Sequence, residues 1–470
     1  MSRHQTRRRN EIELDKDSKC GCKKHEGNKS NCRCSKDKCK GCDKIVIIQG
    51  DEITTESYEI TSPGVYYLCG DIVWTGPNDS QVIVIRSSDV VLNLKGFSIR
   101  DESNALRTVA IFVEPARENV VIQNGTIRGF GAVGVRYETN TKNGKVDGMR
   151  FLQIGGRGGL PLPYGGVSLA SIVNAGISVA GQNLDNFRDD EPETRGFVIS
   201  NNYFDEISSE DLNVLVAGIS LTGLSDYTVE NNKIFNIIGS NTARGLGASN
   251  TKRFNVIGNS TSRVVAGDGT AGLSVNPSAY GSITNNKVVG NSFIEVEGLI
   301  PSLNRLTTGI ACSNSLEVVI DGNITQNTFV PQLEGYRFKQ ASAVLTRGAD
   351  KVVVRNHIDT GTHNQFYDLS FLIADATPAL SYDHRSLPPA PPSNIDTAPF
   401  EIYYQNVVSV GSDIGIQLDG RQVGGLNKAA IVDTKILFSR FWDLRTFGTV
   451  NNLQLINDNF RNMSTNGLNI

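Results

Sequence analysis

The sequence lacks any long hydrophobic run. No stretch of about 18 apolar residues occurs in the 470 residues, so the sequence predicts no membrane-spanning helix. Arginines stand near the start, at residues 3 and 7–9, but no apolar segment follows them. This pattern disfavours export by an ordinary signal peptide. We therefore expect a virion or particle surface reached by another route, or otherwise the cytoplasm.

The first 44 residues have almost no aliphatic side chains and no periodicity. Such a segment cannot bury enough apolar surface to fold alone, so we predict a tail over 1–44 and a folded body over 45–470. The tail carries 14 Lys/Arg and 7 Asp/Glu, whereas the body carries 32 and 42. A basic tail on an acidic body indicates two modules with different partners.

Cysteines are scarce in the body and dense in the tail, which holds six of the eight. The tail cysteines predict a metal site, with zinc as the first candidate, because clustered thiolates suit soft or borderline metals. Oxidative cross-linking and an unmetallated flexible tail stay open as alternatives. The tail could also touch nucleic acid, but no aromatic residue is interleaved for base stacking, which disfavours that partner. The candidate ligands are Cys20, Cys22, Cys32, Cys34, Cys39 and Cys42.

The body repeats a pattern in which an apolar anchor in a strand is followed by Asn or Gly residues and then another apolar residue. Alternating apolar residues predict a strand with one buried face, and Asn or Gly predicts the turn after it. The anchors are Leu92, Ile122, Ile199, Val229, Val256, Ile283, Ile320, Val353 and Leu455. Three residues after an anchor, a predicted structural ladder of asparagines comprises Asn202, Asn232, Asn259, Asn286, Asn323 and Asn356.

A second strand signal, Gly followed by an aliphatic residue, recurs between the anchors, as at Gly176-Ile177 and Gly218-Ile219. Several short strands at a period near 30 residues, without a helical pattern, predict a coiled sheet whose turns stack on one another. We expect about ten to twelve turns. Predicted loop insertions interrupt the coil near 155–170, 182–196 and 360–399.

These repeats, with the opening segments SPGVYYLCGDI, VVLNLKGFSI and NVVIQNGTIRGFGAVGV, resemble pectin-lyase-like proteins of bacteria and large DNA viruses. The resemblance covers roughly residues 45–465. It implies an all-β fold, the single-stranded right-handed parallel β-helix, behind a tail that is disordered or organised by metal or disulfides. It does not imply one activity, because this fold carries lyases, hydrolases, epimerases, adhesins and viral spikes.

The catalytic signatures of enzymes on this fold are missing from the sequence. The polygalacturonase pattern, the pectate-lyase Arg-x-Pro-x-x-Arg and the epimerase Asp-Pro-His-Glu do not occur. His357 and His363 could form an acid–base or metal pair, but His357 falls in an outward turn column, which favours a surface residue. Catalytic residues therefore stay unknown. A column of Asp and Asn residues lies three residues before the anchors, and turn formation accounts for it. The column is Asp89, Asn119, Asp226 and Asp350. Cys312 and Cys69 are expected in the core.

The sequence favours a non-enzymatic structural or surface protein that contacts carbohydrate and is anchored through its Cys-rich tail. A polysaccharide lyase or hydrolase is the first alternative, and a metal-binding or nucleic-acid-anchoring protein is the second. A polysaccharide or other glycan is the expected partner. A homo-oligomer, trimeric by analogy with β-helix spikes, is also expected.

Overall fold

The structure is a computed structural model that describes most of the body of the chain. The described residues are 45–155, 160–161, 172–181, 191–293, 306–331, 340–347, 351–364, 378–383, 400–410, 414–420, 426–437, 442–448, 450, 452–461 and 463–465. Within them, no helix is long and apolar enough to cross a membrane. The short 3-10 helix Gly50–Glu52 is the one helical element among these residues.

Three long sheets of parallel strands form the body, and the chain visits them in the same order on every turn. Sheet 1 contains Ile45–Gln49, Gly64–Cys69, Val90–Asn93, Val120–Gln123, Lys145–Asp147, Val198–Ser200, Leu224–Glu230, Thr251–Ile257, Ser278–Thr284, Leu316–Asp321, Val352–Arg355, Phe400–Gln405, Leu426–Val432 and Leu453–Ile456, with Thr194–Arg195 beside it. Sheet 2 contains Ile72–Trp74, Ser98–Asp101, Thr126–Arg128, Arg150–Gly155, Tyr203–Ser209, Lys233–Gly239, Ser260–Ala266, Lys287–Val289, Ile324–Gln326, Ile358–Thr360, Val408–Val410 and Lys435–Leu437, with Ser292–Phe293 beside it.

Sheet 3 closes each turn and leads to the next strand of sheet 1. It contains Tyr58–Ile60, Gln81–Ile85, Val109–Val113, Val133–Tyr137, Ile172–Ala180, Val214–Thr222, Thr242–Ser249, Gly269–Val275, Leu306–Ser313, Gln340–Arg347, Pro378–Asp383, Ile414–Gly420, Trp442–Gly448 and Met463–Thr465. Leu160–Pro161 pairs antiparallel with this sheet, and a separate pair joins Phe329–Val330 to His363–Asn364.

This architecture is a right-handed parallel β-helix, so the expected fold class is confirmed. Apart from the first and last turns, which lack a strand of sheet 2, each connection from one strand to its parallel neighbour runs through the other two sheets. Among the described residues, sheets 1 and 3 each contain fourteen successive hydrogen-bonded strands, so the expectation of ten to twelve turns was too low. The missed turns contain strands such as Ile45–Gln49 and Lys145–Asp147, which are not followed by the Asn pair.

The core fills the inside of the coil with stacked apolar side chains. Phe151 and Phe204, on neighbouring turns of sheet 2, stack with ring centroids 4.9 Å apart. The recurrent Gly-aliphatic signal marks the places where sheet 3 passes closest to these side chains. A Cβ at Gly176 would lie 2.5 Å from the Phe204 ring, so the packing leaves no room for a side chain there.

The predicted insertions lie largely outside the described residues, as does the tail. Residues 156–159, 162–171 and 182–190 belong to the first two. The predicted irregular segment 360–399 is not one loop, because strand Pro378–Asp383 within it pairs with Gln340–Arg347 of sheet 3. That strand was missed because Pro378 and the polar Ser381 and Asp383 obscure its alternation.

Candidate functional site

Five of the predicted ladder asparagines are buried and bonded to one another across successive turns. The Asn232 side-chain oxygen accepts two hydrogen bonds, each of 3.0 Å, from the backbone N–H and the Nδ2 of Asn202. Asn259 receives the same pair from Asn232, also at 3.0 Å. Asn286 and Asn323 continue the arrangement. These asparagines satisfy buried turn amides and hold neighbouring turns together.

The sixth predicted member, Asn356, lies one column further out. It is exposed, and its Nδ2 donates to Asp321 at 2.7 Å. The ladder position of this turn belongs to His357, which is fully buried. The expectation that His357 is a surface turn residue was therefore wrong. The strand pairs Val354, not Val353, with the anchor Ile320, and a shift of one residue reverses which side chains point inward.

His357 belongs to a polar cluster inside the coil. The Thr325 hydroxyl donates to Asp359 Oδ1 at 2.9 Å and lies 3.1 Å from His357 Nε2. The Thr362 hydroxyl donates to the same Asp359 oxygen at 2.7 Å. Burial lowers the pKa of His357 to about 3, and burial raises the pKa of Asp359 to about 6. His357 Nδ1 has no hydrogen-bond partner. The cluster is closed to substrates because these side chains have no exposed surface.

The other predicted residues have structural places. Asp89, Asn119 and Asp226 have backbone φ angles of 58°, 58° and 56°, as turn residues do. Asp350 and the cysteine cluster, for which zinc is predicted, lie outside the described residues. Cys69 and Cys312 are buried, as expected. Within the described residues, no group of three or more His, Cys, Asp or Glu could hold a metal ion.

The outer face of sheet 2 presents a file of exposed cations that the sequence reading missed. We call it the basic strip and define it as Arg128, Arg150, Lys233, Arg263 and Lys287. These residues come from five of six successive strands of the sheet, Thr126–Arg128 through Lys287–Val289, which span about 24 Å. The remaining strand, Tyr203–Ser209, contributes no cation. Successive members lie 22 to 83 residues apart in sequence, and only the coil register brings them together. Their signal was a recurring position four residues after the anchor, at Lys233 and Lys287.

Two aromatic side chains stand in the middle of the basic strip. Tyr203 and Phe235, both partly exposed, lie on adjacent strands with ring centroids 5.6 Å apart and planes tilted by 46°. The Arg150 guanidinium lies over the Tyr203 ring at 5.5 Å from its centroid. The Tyr203 hydroxyl donates to Asp205 at 3.0 Å, and burial with this carboxylate raises the pKa of Tyr203.

A groove of about 730 Å³ runs beside this face at the corner where sheet 2 turns towards sheet 3. We call it the corner groove. Among its lining residues, the Arg128 Nε donates to Gln153 at 2.8 Å. The residues that line it are Arg100, Asp101, Glu102, Arg128, Gly129, Gln153, Gly155, Glu206, Ser208 and Ile238. The predicted insertion near 155–170 begins at Gly155, on the edge of this groove.

A second, shallower groove lies at the corner between sheets 3 and 1. Tyr280 stands in it with 43% of its surface exposed. Arg253 beside it binds Asp226 and Glu191 through bidentate pairs of 2.7 to 2.9 Å. These hydrogen bonds lower the pKa of both carboxyls. Arg253 is already held by two carboxylates, so the corner groove and the basic strip form the stronger candidate site.

No family profile matches this sequence, and no curated protein matches it. Several solved structures share its architecture at low identity. The Dettilon tailspike protein matches with a TM-score of 0.49 and 13% identity over 80% of this chain and 62% of that one. The catalytic domain of a GH87 α-1,3-glucanase in complex with nigerose matches with a TM-score of 0.37 and 13% identity over 90% of this chain and 61% of that one.

A tailspike protein of E. coli bacteriophage HK620, in complex with a pentasaccharide, matches with a TM-score of 0.38 and 10% identity over 84% of this chain and 72% of that one. This chain spans less than two thirds of the length of the first two proteins. At these identities the likeness concerns the fold, which the three parallel sheets of this chain establish by themselves.

Proposed function

We propose that this protein is a glycan-binding component of a virion or cell surface and that it holds the glycan on the outer face of sheet 2 without cleaving it. The observation that carries the proposal is the Tyr203–Phe235 pair, 5.6 Å between centroids, beside the corner groove. The apolar C–H face of a sugar ring packs on an aromatic ring, and its hydroxyls need planar polar partners. Gln153, Asn236 and Asp205 supply such groups next to the pair.

The surrounding geometry supports a preformed site. Asn236 Nδ2 donates to Asp205 at 2.6 Å, and Asp205 in turn accepts from the Tyr203 hydroxyl. Each of these residues lies within a strand of sheet 2, whose neighbours are bonded on both sides. Side chains fixed in this way lose little conformational freedom when a ligand binds.

A polysaccharide hydrolase is the second candidate, because carboxylates Asp101, Glu102 and Glu206 line the same groove. Asp101 ends strand Ser98–Asp101 and Glu102 follows it, whereas Glu206 lies in Tyr203–Ser209, and these strands stand three steps apart in sheet 2, or about 14 Å. Glycosidases place their two carboxyl groups about 5 to 9.5 Å apart. The spacing therefore favours binding over hydrolysis at this groove.

The Cys-rich tail completes the proposal. Its six cysteines would anchor the coil to a particle, either through zinc or through cross-links to a neighbour. A trimer would present three copies of the glycan face and raise avidity without new contacts.

The test measures binding of the full-length protein to a panel of neutral and anionic polysaccharides, with mass spectrometry of the incubated polymers. We expect at least one polymer to bind and to stay intact. The double variant Tyr203→Ala/Phe235→Ala should weaken that binding by about 10- to 100-fold, because it removes the stacking surface. Tyr280→Ala, which removes an exposed tyrosine from the other groove, is the matched control and should bind normally.

Two results would contradict the proposal. Equal loss of binding in the Tyr280→Ala control would place the site elsewhere. New oligosaccharides that disappear in Glu206→Gln would make the protein a hydrolase.

A further inference from the structure

We infer that the glycan bound by sheet 2 is polyanionic, carrying carboxylate or sulfate groups along its length, and that the basic strip is the subsite that reads this charge. The inference rests on the proposed glycan-binding function. It comes from the charges of the strip and not from the aromatic pair.

The cations of the basic strip lack the partners that surface cations of this protein usually have. Within the described part of the chain, no carboxylate lies within ion-pair distance of any of the five. Elsewhere on the body such pairs are frequent. Arg86 lies 3.0 Å from Glu59 and 2.9 Å from Glu114, for example, and Lys142 lies 2.8 Å from Glu118.

The strip arginines have partners, but these partners are neutral and leave the positive charges uncompensated. Arg128 and Arg263 bond to the amide oxygens of Gln153 and Asn236, at 2.8 and 3.2 Å. Arg150 stacks on Tyr203. These neutral partners orient the guanidinium groups without neutralising them, so the groups stay available to a bidentate anion.

The sign of the strip opposes that of the body around it. The body carries 32 Lys/Arg against 42 Asp/Glu. On the outer face of the six strands, the five cations face two carboxylates, Asp205 and Glu206, and Asp205 is already occupied by Tyr203 and Asn236. A local positive stripe attracts polyanions, whereas the rest of this negatively charged body repels them.

A glycan fits this stripe better than a nucleic acid. The strip has one aromatic pair rather than a series of aromatic platforms, whereas single-stranded nucleic acid sites stack successive bases. A polysaccharide with a charged group on each sugar needs one cation per step and only occasional stacking.

The experiment compares matched polymers that differ in charge alone, using the full-length protein at two salt concentrations. The pairs are polygalacturonate with its methyl ester, and dextran sulfate with dextran. We expect an anionic member to bind at least about tenfold more tightly than its neutral partner, with the advantage falling as salt rises. The pair that shows the preference identifies the anion as carboxylate or sulfate.

The variant Arg150→Gln/Lys233→Gln should remove most of this preference. Lys145→Gln/Lys351→Gln removes two exposed cations from the sheet 1 side, where they pair with Asp147 and Glu317, and should leave it intact. Unfolding curves of both variants confirm that they are folded.

Three outcomes would overturn the inference. Equal binding of charged and neutral members would leave the protein a glycan binder without charge selection. Equal losses in the two double variants would show that net charge, not the strip, sets the preference. Single-stranded DNA that binds more tightly than every glycan and loses affinity in Arg150→Gln/Lys233→Gln would assign the strip to nucleic acid. If no polymer binds at all, the proposed function fails with it.

Discussion

At the scale of single residues, His357 is the least expected feature of the molecule. When Asp359 is ionised, the Thr325 proton goes to that carboxylate, so His357 Nε2 must donate to the Thr325 oxygen. The unprotonated Nδ1 is then a buried acceptor without a partner. Among the described residues of these turns, the other ionisable groups that face inward are Cys312 and Tyr404, and burial raises the pKa of each to about 12.

We predict that His357→Asn makes the protein more resistant to acid. The native pKa of His357 is lowered to about 3 from 6.5, so the unfolded chain binds a proton that the folded chain does not in that range. Stability from His357 is present above pH 6.5 and is lost as the pH falls towards 3. The free energy of unfolding of the variant, relative to that of the native protein, should therefore rise on acidification, by roughly 3 kcal/mol between pH 6.5 and 4. Urea unfolding at several pH values measures this advantage.

Asp359→Asn is the control with the opposite slope. The pKa of Asp359 is raised to about 6 from 3.8. The contribution of Asp359 to the stability of the fold is therefore present at low pH and is lost as the pH rises from 3.8 to 6. The advantage of this variant should grow over that interval and then level off. If both variants differ from the native protein by the same amount at every pH, the burial of the two groups is not the cause.

The residues that sequence reading assigned correctly are those whose repeat leaves one possible register. Asn202 through Asn323 sit beside a strand with clear alternation, and the structure places all five in one ladder. The run Val352, Val353 and Val354 offers no alternation, so its inward face could not be read. The basic strip depends on register over six turns, which no local pattern contains.

At the scale of elements, the asparagine ladder is the device that fixes one turn on the next. Asn259 Oδ1 accepts two hydrogen bonds from Asn232, while its Nδ2 donates to the Val229 carbonyl at 2.9 Å and to Asn286. Each side chain thus serves both neighbouring turns. The parallel strands supply similar bonds along their length. At the corner the ladder adds to backbone hydrogen bonds such as the one that the Lys233 N–H donates to the Asn202 carbonyl at 2.9 Å.

We predict that Asn259→Ala lowers the free energy of unfolding by about 3 kcal/mol, because it leaves the buried backbone N–H of Asn232 without an acceptor and removes one of the two acceptors of its Nδ2, which keeps the Ile199 carbonyl. Asn231→Gly is the control. Asn231 occupies the adjacent exposed column with a φ of 55°, and Gly258 and Gly322 fill that column on other turns with φ of 65°. The control should cost less than about 1 kcal/mol. Comparable losses in both variants, measured by urea unfolding, would argue against the ladder.

At the scale of the whole molecule, the cysteines divide into two populations that thiol chemistry can count. Cys69 and Cys312 are buried in the coil, and burial raises the pKa of Cys312 to about 12, so neither should react in the folded protein. The remaining six belong to the tail.

We predict that the reduced, metal-free, folded protein exposes six reactive thiols and that denaturant exposes all eight. Added zinc should protect the tail thiols and should bind in stoichiometric amounts that a 45–470 fragment lacks. Elemental analysis and a thiol titration give both numbers. Zinc bound equally by the fragment, or six thiols that react at the same rate with and without zinc, would refute a metal site in the tail.

The separation between strands of sheet 2 is set by backbone hydrogen bonds, so the protein cannot adjust the interval between one cation of the basic strip and the next. A polymer whose charges recur at another interval can align with one cation but drifts out of phase with those that follow. The mismatch accumulates with length. This surface would therefore discriminate poorly between short oligosaccharides with different charge spacings and well between long polymers. Its selectivity would be a property of the polymer and not of the monomer.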